Sequence, residues 1–220
     1  MRSLVLTLSV LSFLMAFGIG GAIYAESKRA EVMRRAAKSA VVLIAESPVE
    51  TALGSGTVVG ASNGYVFVLS CHHVIEDMRT IEVYFAGGHT QGFIEKDSPE
   101  RDLVLLYAKA DLPALPIAAA PPSLYDTVYV LGAPDGEAGS ASEGMVTKLS
   151  FAIEDGEHAE QRFYRVTNAF MLPGISGGTA TNTEGELIGV PVRAAKGTPQ
   201  QGLLVAWPDV VDFVSGYATR

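Results

Sequence analysis

From residue 40 onward, short apolar runs alternate with clusters of Gly, Pro, Asn and Asp, and this alternation constrains the fold more than any other feature. Runs of this length, bounded by turn residues, are typical of β-strands. Candidate strands cover 40–45, 56–59, 65–70, 81–85, 92–95 and 103–107 in a first series, and 127–132, 144–151, 161–167, 178–181, 187–192 and 203–207 in a second. Two such series suit an all-β fold of two six-stranded antiparallel barrels, although regular spacing alone also fits a β-sandwich.

The segment between the two series is predicted to be a linker. Residues 109–122 are rich in Ala and Pro and poor in hydrogen-bonding side chains, which is typical of connections between folded units. We therefore expect an N-terminal barrel over about 40–108 and a C-terminal barrel over about 123–207. Pro208 suits the first turn of a helix, so a short C-terminal helix is expected over 208–218.

The N-terminal 25 residues differ from the rest, because residues 4–25 carry no charged side chain. An apolar run of this length crosses a bilayer as a helix, which favours an uncleaved transmembrane anchor. Arg2 before the run and the small residue Ala25 at its end fit a cleaved signal peptide equally well. Residues 1–25 are thus expected to form an apolar helix with one of these two roles. A buried core helix is the third alternative, but such helices usually show a polar face.

Residues 26–39 are charged and rich in alanine, with helical spacing that suits a short solvated helix or a juxtamembrane spacer. Only Arg2 precedes the apolar run, whereas the basic residues that follow it are Lys28, Arg29, Arg34, Arg35 and Lys38. By the positive-inside rule, this distribution favours a cytoplasmic body. A signal-like start favours a secreted or periplasmic body instead. We predict the extracytoplasmic location, with the orientation of an anchored form left open.

Composition excludes several classes of function. The net charge is -8, and a surface of that sign repels a phosphate backbone, so no nucleic-acid partner is expected. Cys71 is the only cysteine, which rules out an intrachain disulfide and a cysteine-based zinc cluster. With only four histidines besides, neither a metal nor another cofactor is expected.

A single serine stands among glycines in the segment 172–178, Leu-Pro-Gly-Ile-Ser-Gly-Gly. Glycines allow close approach of a substrate and let N–H groups converge on one point, as an oxyanion hole requires. The backbone N–H groups of Gly174 and Ser176 are the expected donors. The same composition is also ordinary for a turn, so the segment indicates an active site only together with other residues.

The order of residues along the chain restricts the type of serine hydrolase. The segment also fits the G-x-S-x-G turn of α/β-hydrolases, but that fold needs a histidine after the serine, and all four histidines precede Ser176. The subtilisin order of Asp, His and Ser survives only with His89 or His158, because Asp77 is the first aspartate. Neither His89 nor His158 lies in a segment that suggests a catalytic role, so the chymotrypsin order of His, Asp and Ser is favoured.

Motifs in that order resemble trypsin-like serine proteases, especially the bacterial HtrA/Deg branch. They are the G-S-G-T-V-V strand at 54–59 with the histidine segment at 66–74, the strand entry R-D-L at 101–103, and the loop 174–178 followed by G-E-L-I-G-V at 185–190. The resemblance covers most of residues 54–207 and implies the chymotrypsin fold. It also implies that His73, Asp102 and Ser176 form a catalytic triad, with His72 as a neighbour.

The resemblance further implies the position of the substrate pocket, at Phe170, Val192, Arg193, Ala194 and Leu203. No acidic residue is among them, which implies a small or medium apolar side chain at P1, the residue on the acyl side of the cleaved bond. We therefore predict a serine endopeptidase that cleaves polypeptides through an acyl-enzyme intermediate, without metal or cofactor.

Three positions depart from the family pattern. Ile175 replaces a polar residue before the serine, Thr179 replaces a proline, and Cys71 stands where a small residue is common. None of these changes removes a catalytic group. Two alternatives remain open: a protease-like binding module without turnover, and a membrane-tethered accessory protein in which residues 174–178 are only a turn.

Overall fold

A computed structural model describes residues 26–136, 139–151, 162–169, 171–195 and 198–218. The predicted apolar helix of residues 1–25 lies outside these ranges. Within them, no helix is both long enough and apolar enough to cross a membrane.

The first half of the chain forms a closed antiparallel barrel with the strand order β1-β2-β3-β6-β5-β4. Its strands are β1 Ala40–Glu46, β2 Thr51–Ser62, β3 Tyr65–Ser70, β4 Thr80–Phe85, β5 Gly88–Ser98 and β6 Leu103–Lys109. On β3, Val66 and Val68 are fully buried while Tyr65 is exposed, as expected for a strand with one face on a core.

The second half forms another closed barrel, with the order β10-β11-β12-β9-β8-β7. Its strands are β7 Thr127–Gly132, β8 Ser140–Phe151, β9 Phe163–Thr167, β10 Thr179–Thr181, β11 Leu187–Ala195 and β12 Thr198–Ala206. Closure leaves neither sheet with an open edge. The predicted fold class, two six-stranded antiparallel barrels, is confirmed.

The connection between the barrels is hydrogen-bonded to both of them through its backbone. The N–H of Leu115 donates to the Val58 carbonyl at 2.8 Å. Further along, Ala118 donates to the carbonyl of Leu187 at 3.0 Å, and Leu187 donates to that of Pro116 at 2.8 Å. Since its side chains offer few donors or acceptors, the backbone makes these bonds, and they fix one barrel against the other.

Residues 26–37 form a helix, α1, that packs against the protein body. Val32 and Ala36 are buried in the same core cluster as the first barrel, so the expectation of a solvated helix is wrong for this face. Basic side chains of α1 bind acidic residues of the second half, with Lys28–Glu184 at 2.7 Å and Arg29–Glu143 at 3.1 Å.

The C-terminal helix α2, Trp207–Phe213, follows the second barrel but also bonds to the first. Its Asp212 forms an ion pair with Arg101 at 2.5 Å, and the Phe213 carbonyl accepts a hydrogen bond from Lys96 at 2.8 Å. Arg101 directly precedes Asp102, so α2 braces the segment that carries the predicted triad aspartate.

Candidate active site

The predicted histidine and aspartate are paired at one end of the first barrel. After β3, the chain turns through a short 3-10 helix, His72–Val74. The Nδ1 atom of His73 lies 2.9 and 2.8 Å from the two carboxylate oxygens of Asp102, and the backbone N–H of His73 donates to the same carboxylate at 3.0 Å. The Asp102 side chain is 4% exposed and that of His73 is 42% exposed, so the carboxylate is buried behind an accessible ring.

Asp102 occupies a left-handed backbone conformation, with φ of 49° and ψ of 42°. It ends the 3-10 turn Pro99–Arg101 and immediately precedes β6. Aspartate is one of the few residues with a side chain that adopts this conformation readily. The turn therefore directs the carboxylate toward His73 just before the strand begins.

The serine loop is a pair of tight turns tied to the first barrel. The N–H of Ile175 donates to the carbonyl of Leu172 at 3.2 Å, and that of Gly178 donates to the carbonyl of Ile175 at 2.9 Å. Ser55 of β2 binds the loop twice, through its N–H to the Ser176 carbonyl at 2.8 Å and through its Oγ to the Gly174 carbonyl at 2.7 Å. These bonds hold the loop that carries Ser176 against β2 of the first barrel.

Gly177 is required by its surroundings. Its φ is 80°, and an added Cβ would lie 2.1 Å from the Ser70 hydroxyl and 2.4 Å from the Ser55 carbonyl. No side chain fits there without moving the backbone of β2. The absence of a side chain at Gly177 thus lets the serine loop lie against Ser55 and Ser70 of the first barrel.

Two departures from the family pattern have packing roles. Ile175 is buried in the core of the second barrel and lies against Gly132, where a Cβ would meet its side chain at 2.7 Å. Thr179 is fully buried, and its hydroxyl is 2.6 Å from that of Thr57 on β2. Both residues fasten the loop, one to a core and the other across the barrel interface.

The predicted oxyanion donors are the N–H groups of Gly174 and Ser176. Among hydrogen bonds between described residues, neither group has an acceptor, whereas Ile175, Gly177 and Gly178 all donate to carbonyls. Gly174 has a φ of 90°, which only glycine adopts without strain. The two N–H groups that the sequence indicated as oxyanion donors therefore have no acceptor among the described residues.

A cleft of about 730 Å³ brings the predicted residues together. The side chains that line it are His72, His73, Glu76, Pro99, Glu100, Asp102, Phe163, Ser176, Val192 and Arg193. Of the predicted pocket residues, Val192 and Arg193 line the cleft, Ala194 and Leu203 do not, and Phe170 lies outside the described residues.

The serine hydroxyl points to the second barrel in this structure. Ser176 Oγ donates to the Val192 carbonyl at 2.7 Å, and no hydrogen bond joins it to His73 among the described side chains. Catalytic hydrogen bonds are often long or misaligned without substrate. Rotation about the Cα–Cβ bond of Ser176 is the change that alters the direction of its hydroxyl.

Sequence reasoning missed four lining residues, Glu76, Pro99, Glu100 and Phe163. Their signal was their place in the chain, since Glu76 comes three residues after His73 and Glu100 two before Asp102. The Ser98 hydroxyl donates to the Glu100 carboxylate and holds the pKa of that carboxyl below its usual range. Glu100 is therefore a fixed negative charge on the histidine side of the cleft.

Cys71 lies directly beneath the site. Its side chain is fully buried, and Sγ donates to the Pro191 carbonyl at 3.4 Å. Burial raises the pKa of the Cys71 thiol, and the negative charge of Asp102 raises it further. Because the thiolate is the reactive form of cysteine, Cys71 does not compete with Ser176 as a nucleophile.

Comparison with known proteins identifies the family of the domain. The family profile of the trypsin-like peptidase domain matches residues 54–190. The chain is 30% identical over 144 residues to the periplasmic serine endoprotease DegP of Escherichia coli strain K12, covering 63% of this chain and 29% of DegP. It is 28% identical over 175 residues to the serine protease Do-like HtrA of Lactobacillus helveticus, covering 74% of this chain and 42% of that protein. The chain thus spans less than half the length of these relatives.

Solved structures show the same architecture. The active form of the Rv3671c protease from M. tuberculosis superposes with a TM-score of 0.77 at 22% identity, covering 86% of this chain and 85% of that one. The serine endoprotease from Yersinia pestis superposes with a TM-score of 0.70 at 25% identity, covering 84% of this chain and 64% of that one. The profile match, together with the fold, shows that this chain belongs to the trypsin-like peptidase domain family.

Proposed function

We propose that this protein is a serine endopeptidase in which Ser176 is the nucleophile, His73 the general base and Asp102 the residue that orients the histidine. The observation that carries the proposal is the single cleft lined by all three side chains, in which a buried carboxylate binds Nδ1 of an accessible histidine. If residues 174–178 were only a Gly-rich turn, no histidine–aspartate pair would be expected beside the serine.

Asp102 sets the tautomer of the imidazole. Because its carboxylate accepts from Nδ1–H, the lone pair of neutral His73 lies on Nε2, the atom that faces away from the aspartate. Ser176 transfers its proton to Nε2 as Oγ attacks the peptide carbonyl, and His73 then delivers that proton to the leaving amine. Asp102 stabilises the imidazolium that forms between these two transfers.

The N–H groups of Gly174 and Ser176 would bind the oxyanion of the tetrahedral intermediate. Each donor of this kind contributes about 3 kcal/mol of transition-state stabilisation. Their lack of acceptors within the described residues supports the role, because a committed donor would first have to break a bond.

Ser176 must leave the Val192 carbonyl before it attacks. Its rotation toward His73 exchanges one hydrogen bond for another of similar strength, so the cost of activating the serine is small. In this proposal, substrate entry into the cleft accompanies the rotation.

The P1 residue is proposed to be small or apolar. The lining residues contributed by the second barrel, beside Ser176, are Phe163, Val192 and Arg193, and the carboxylates of Glu76 and Glu100 belong to the first. A pocket without an acidic residue near the serine gives Lys or Arg no counter-ion. A peptide library should therefore show cleavage after small and apolar residues, and strong cleavage after Arg would contradict the preference.

An extracytoplasmic location is proposed for the protease body. Relatives of the chain are named periplasmic endoproteases. Lys28, Arg29 and Arg35 bind Glu184, Glu143 and the Glu184 carbonyl, so the basic residues after the apolar run have a structural role besides any in membrane orientation. N-terminal sequencing of the mature protein separates the two forms of the segment: a start after Ala25 indicates a signal peptide, and an intact N-terminus indicates an anchor.

Covalent labelling tests the proposed nucleophile. A fluorophosphonate probe should label the wild-type chain, and Ser176→Ala should abolish the labelling and lower peptide hydrolysis by about 10⁴-fold or more. The matched control is Ser123→Ala, because Ser123 is exposed and lies outside the cleft. Labelling that persists in Ser176→Ala, or no labelling of the wild type, would favour the alternative of a protease-like binding module.

A further inference from the structure

Cys71 completes a set of three metal-binding donors with the proposed catalytic pair. The Cys71 Sγ, a ring nitrogen of His73 and a carboxylate oxygen of Asp102 all lie within 4.8 Å of one another, and Nδ1 is the ring nitrogen that faces Asp102. From the usual Zn–S, Zn–N and Zn–O lengths, donors around one zinc ion are separated by about 3.3–3.8 Å. Binding of a single ion would therefore widen the 2.8 Å separation between Nδ1 and the Asp102 carboxylate by about 0.5 Å and shorten the separations from Sγ by at most about 1.5 Å.

The chemistry of the three donors selects the ion. A thiolate together with an imidazole and a carboxylate suits zinc and other thiophilic divalent ions, whereas magnesium and calcium prefer oxygen ligands alone. Cys71 and Asp102 are 0% and 3% exposed, so two of the donors lie in a dry site. His73 is the accessible member, with 42% of its side chain exposed, and rotation of its ring opens a path from the cleft.

We propose that Cys71, His73 and Asp102 form an inhibitory site for a thiophilic divalent cation, with Zn²⁺ as the representative ion. This departs from the expectation from sequence that no metal binds, which considered cysteine number and not the proximity of Cys71 to the pair. The consequence for activity, but not the binding itself, rests on the proposed function.

Occupation of the site would switch off the base through its tautomer. The ion would take the place of the proton on Nδ1, and that proton would move to Nε2, so the imidazole stays neutral. The thiol of Cys71 would lose its proton to solvent as it becomes a ligand. With Nε2 protonated, His73 cannot accept the proton of Ser176, and Asp102 is no longer bonded to the ring.

Inhibition by zinc is the first test. Hydrolysis of a peptide substrate by the full chain should fall as Zn²⁺ is added and recover with EDTA, while Mg²⁺ at the same concentration has no effect. In Cys71→Ser, the zinc concentration for half inhibition, measured against the metal-free rate of that variant, should rise by about 100-fold or more, since even outer-shell changes cost about 10–100-fold in metal affinity. Asp97→Asn is the matched control and should be inhibited like the wild type.

Cobalt binding is the second test and needs no activity. Co²⁺ added to Ser176→Ala, which retains all three donors and cannot digest itself, should give a thiolate-to-cobalt charge-transfer absorption. The double variant Ser176→Ala/Cys71→Ser should lack it. A band with no hydrolysis by the wild type would uphold the metal site and refute the proposed function.

Two results would overturn the metal site and leave the protease intact. One is hydrolysis that zinc does not inhibit, with no cobalt band. The other is equal inhibition of the wild type and Cys71→Ser, with loss of inhibition in Asp97→Asn, which would place the ion on the pair formed by His72 and Asp97.

Discussion

His72 and His73 each have Nδ1 2.8 Å from an aspartate oxygen, yet the two pairs differ in burial and in hydrogen bonding. Asp97 is 31% exposed and accepts one bond from its histidine. Asp102 is 4% exposed and accepts from the ring and the backbone of His73. The distance between histidine and aspartate is the same in both pairs, so burial and hydrogen bonding distinguish them.

Burial and position in the cleft explain why the His73–Asp102 pair suits catalysis and the His72–Asp97 pair does not. A buried carboxylate interacts more strongly with the imidazolium that forms during proton transfer, because less water screens the two charges. An exposed pair typically contributes about 0–1 kcal/mol. Both pairs border the cleft through their histidines, but only Asp102 is also among its lining residues.

Replacing each histidine in turn should give the largest difference in rate between the two pairs. His73→Ala should lower kcat for peptide hydrolysis by about 10⁶-fold, because the general base is lost. His72→Ala removes an adjacent imidazole with the same type of partner, and it should lower the rate by less than about 5-fold. Comparable losses in both variants, measured with one peptide substrate, would refute the assignment of the base.

Replacing each aspartate should also distinguish the two pairs, with a smaller difference in kcat. Asp102→Asn keeps the shape of the side chain but can hold His73 in the wrong tautomer, so kcat should fall by about 10⁴-fold. Asp97→Asn should change it by less than about 5-fold, since an exposed pair is worth little. Stopped assays over a pH range would reveal whether Asp102→Asn retains a slow, base-dependent reaction.

Ser55→Ala sharpens the comparison by moving the serine loop without touching either pair. The Ser55 hydroxyl donates to the Gly174 carbonyl and accepts from the Ala133 N–H at 2.9 Å, in a site that is 1% exposed. Each of the two buried groups left unpaired costs about 1–3 kcal/mol, so the free energy of unfolding should fall by about 2–6 kcal/mol. Denaturant unfolding beside Ser123→Ala checks this, and a loss equal to that of the exposed control would contradict it.

Much of the fold and the identity of the candidate site residues were predictable from local signals. Apolar runs such as 65–70 and 103–107 match β3 and β6 closely, because buried strands leave a clear composition signal between turns. The order of histidine, aspartate and serine restricted the enzyme type before any distance was known. Those features depend on residue type and order alone.

Features that depend on contacts between distant segments were not predictable. The packing of Ile175 beside Gly132 and the bond between Thr57 and Thr179 join residues far apart in sequence. Helix α1 was expected to be solvated, because its charges are visible in sequence while their partners, Glu143 and Glu184, lie more than a hundred residues away. The boundaries of α2 also differ, since Phe213 ends the regular helix before the predicted residue 218.

The smallest effect concerns Glu100, whose carboxylate lies on the histidine side of the cleft. The hydroxyl of Ser98, the charge of Arg101 and that of His72 all lower the pKa of Glu100. A lowered folded-state pKa adds stability that is present above the unfolded-state value and is lost as pH falls through the folded-state pKa. The contribution is therefore full at neutral pH and disappears on acidification.

Ser98→Ala should raise the pKa of Glu100 toward its ordinary value, because the Ser98 bond is the largest of the causes that lower it. The difference in unfolding free energy between wild type and variant should shrink as the pH falls below the usual glutamate range, and the carboxyl titration followed by NMR should move upward. Ser123→Ala is the control, since the backbone N–H of Ser123 and not its hydroxyl binds Asp126. A stability difference independent of pH, with an unmoved titration, would mean that Ser98 acts through packing and not through the Glu100 charge.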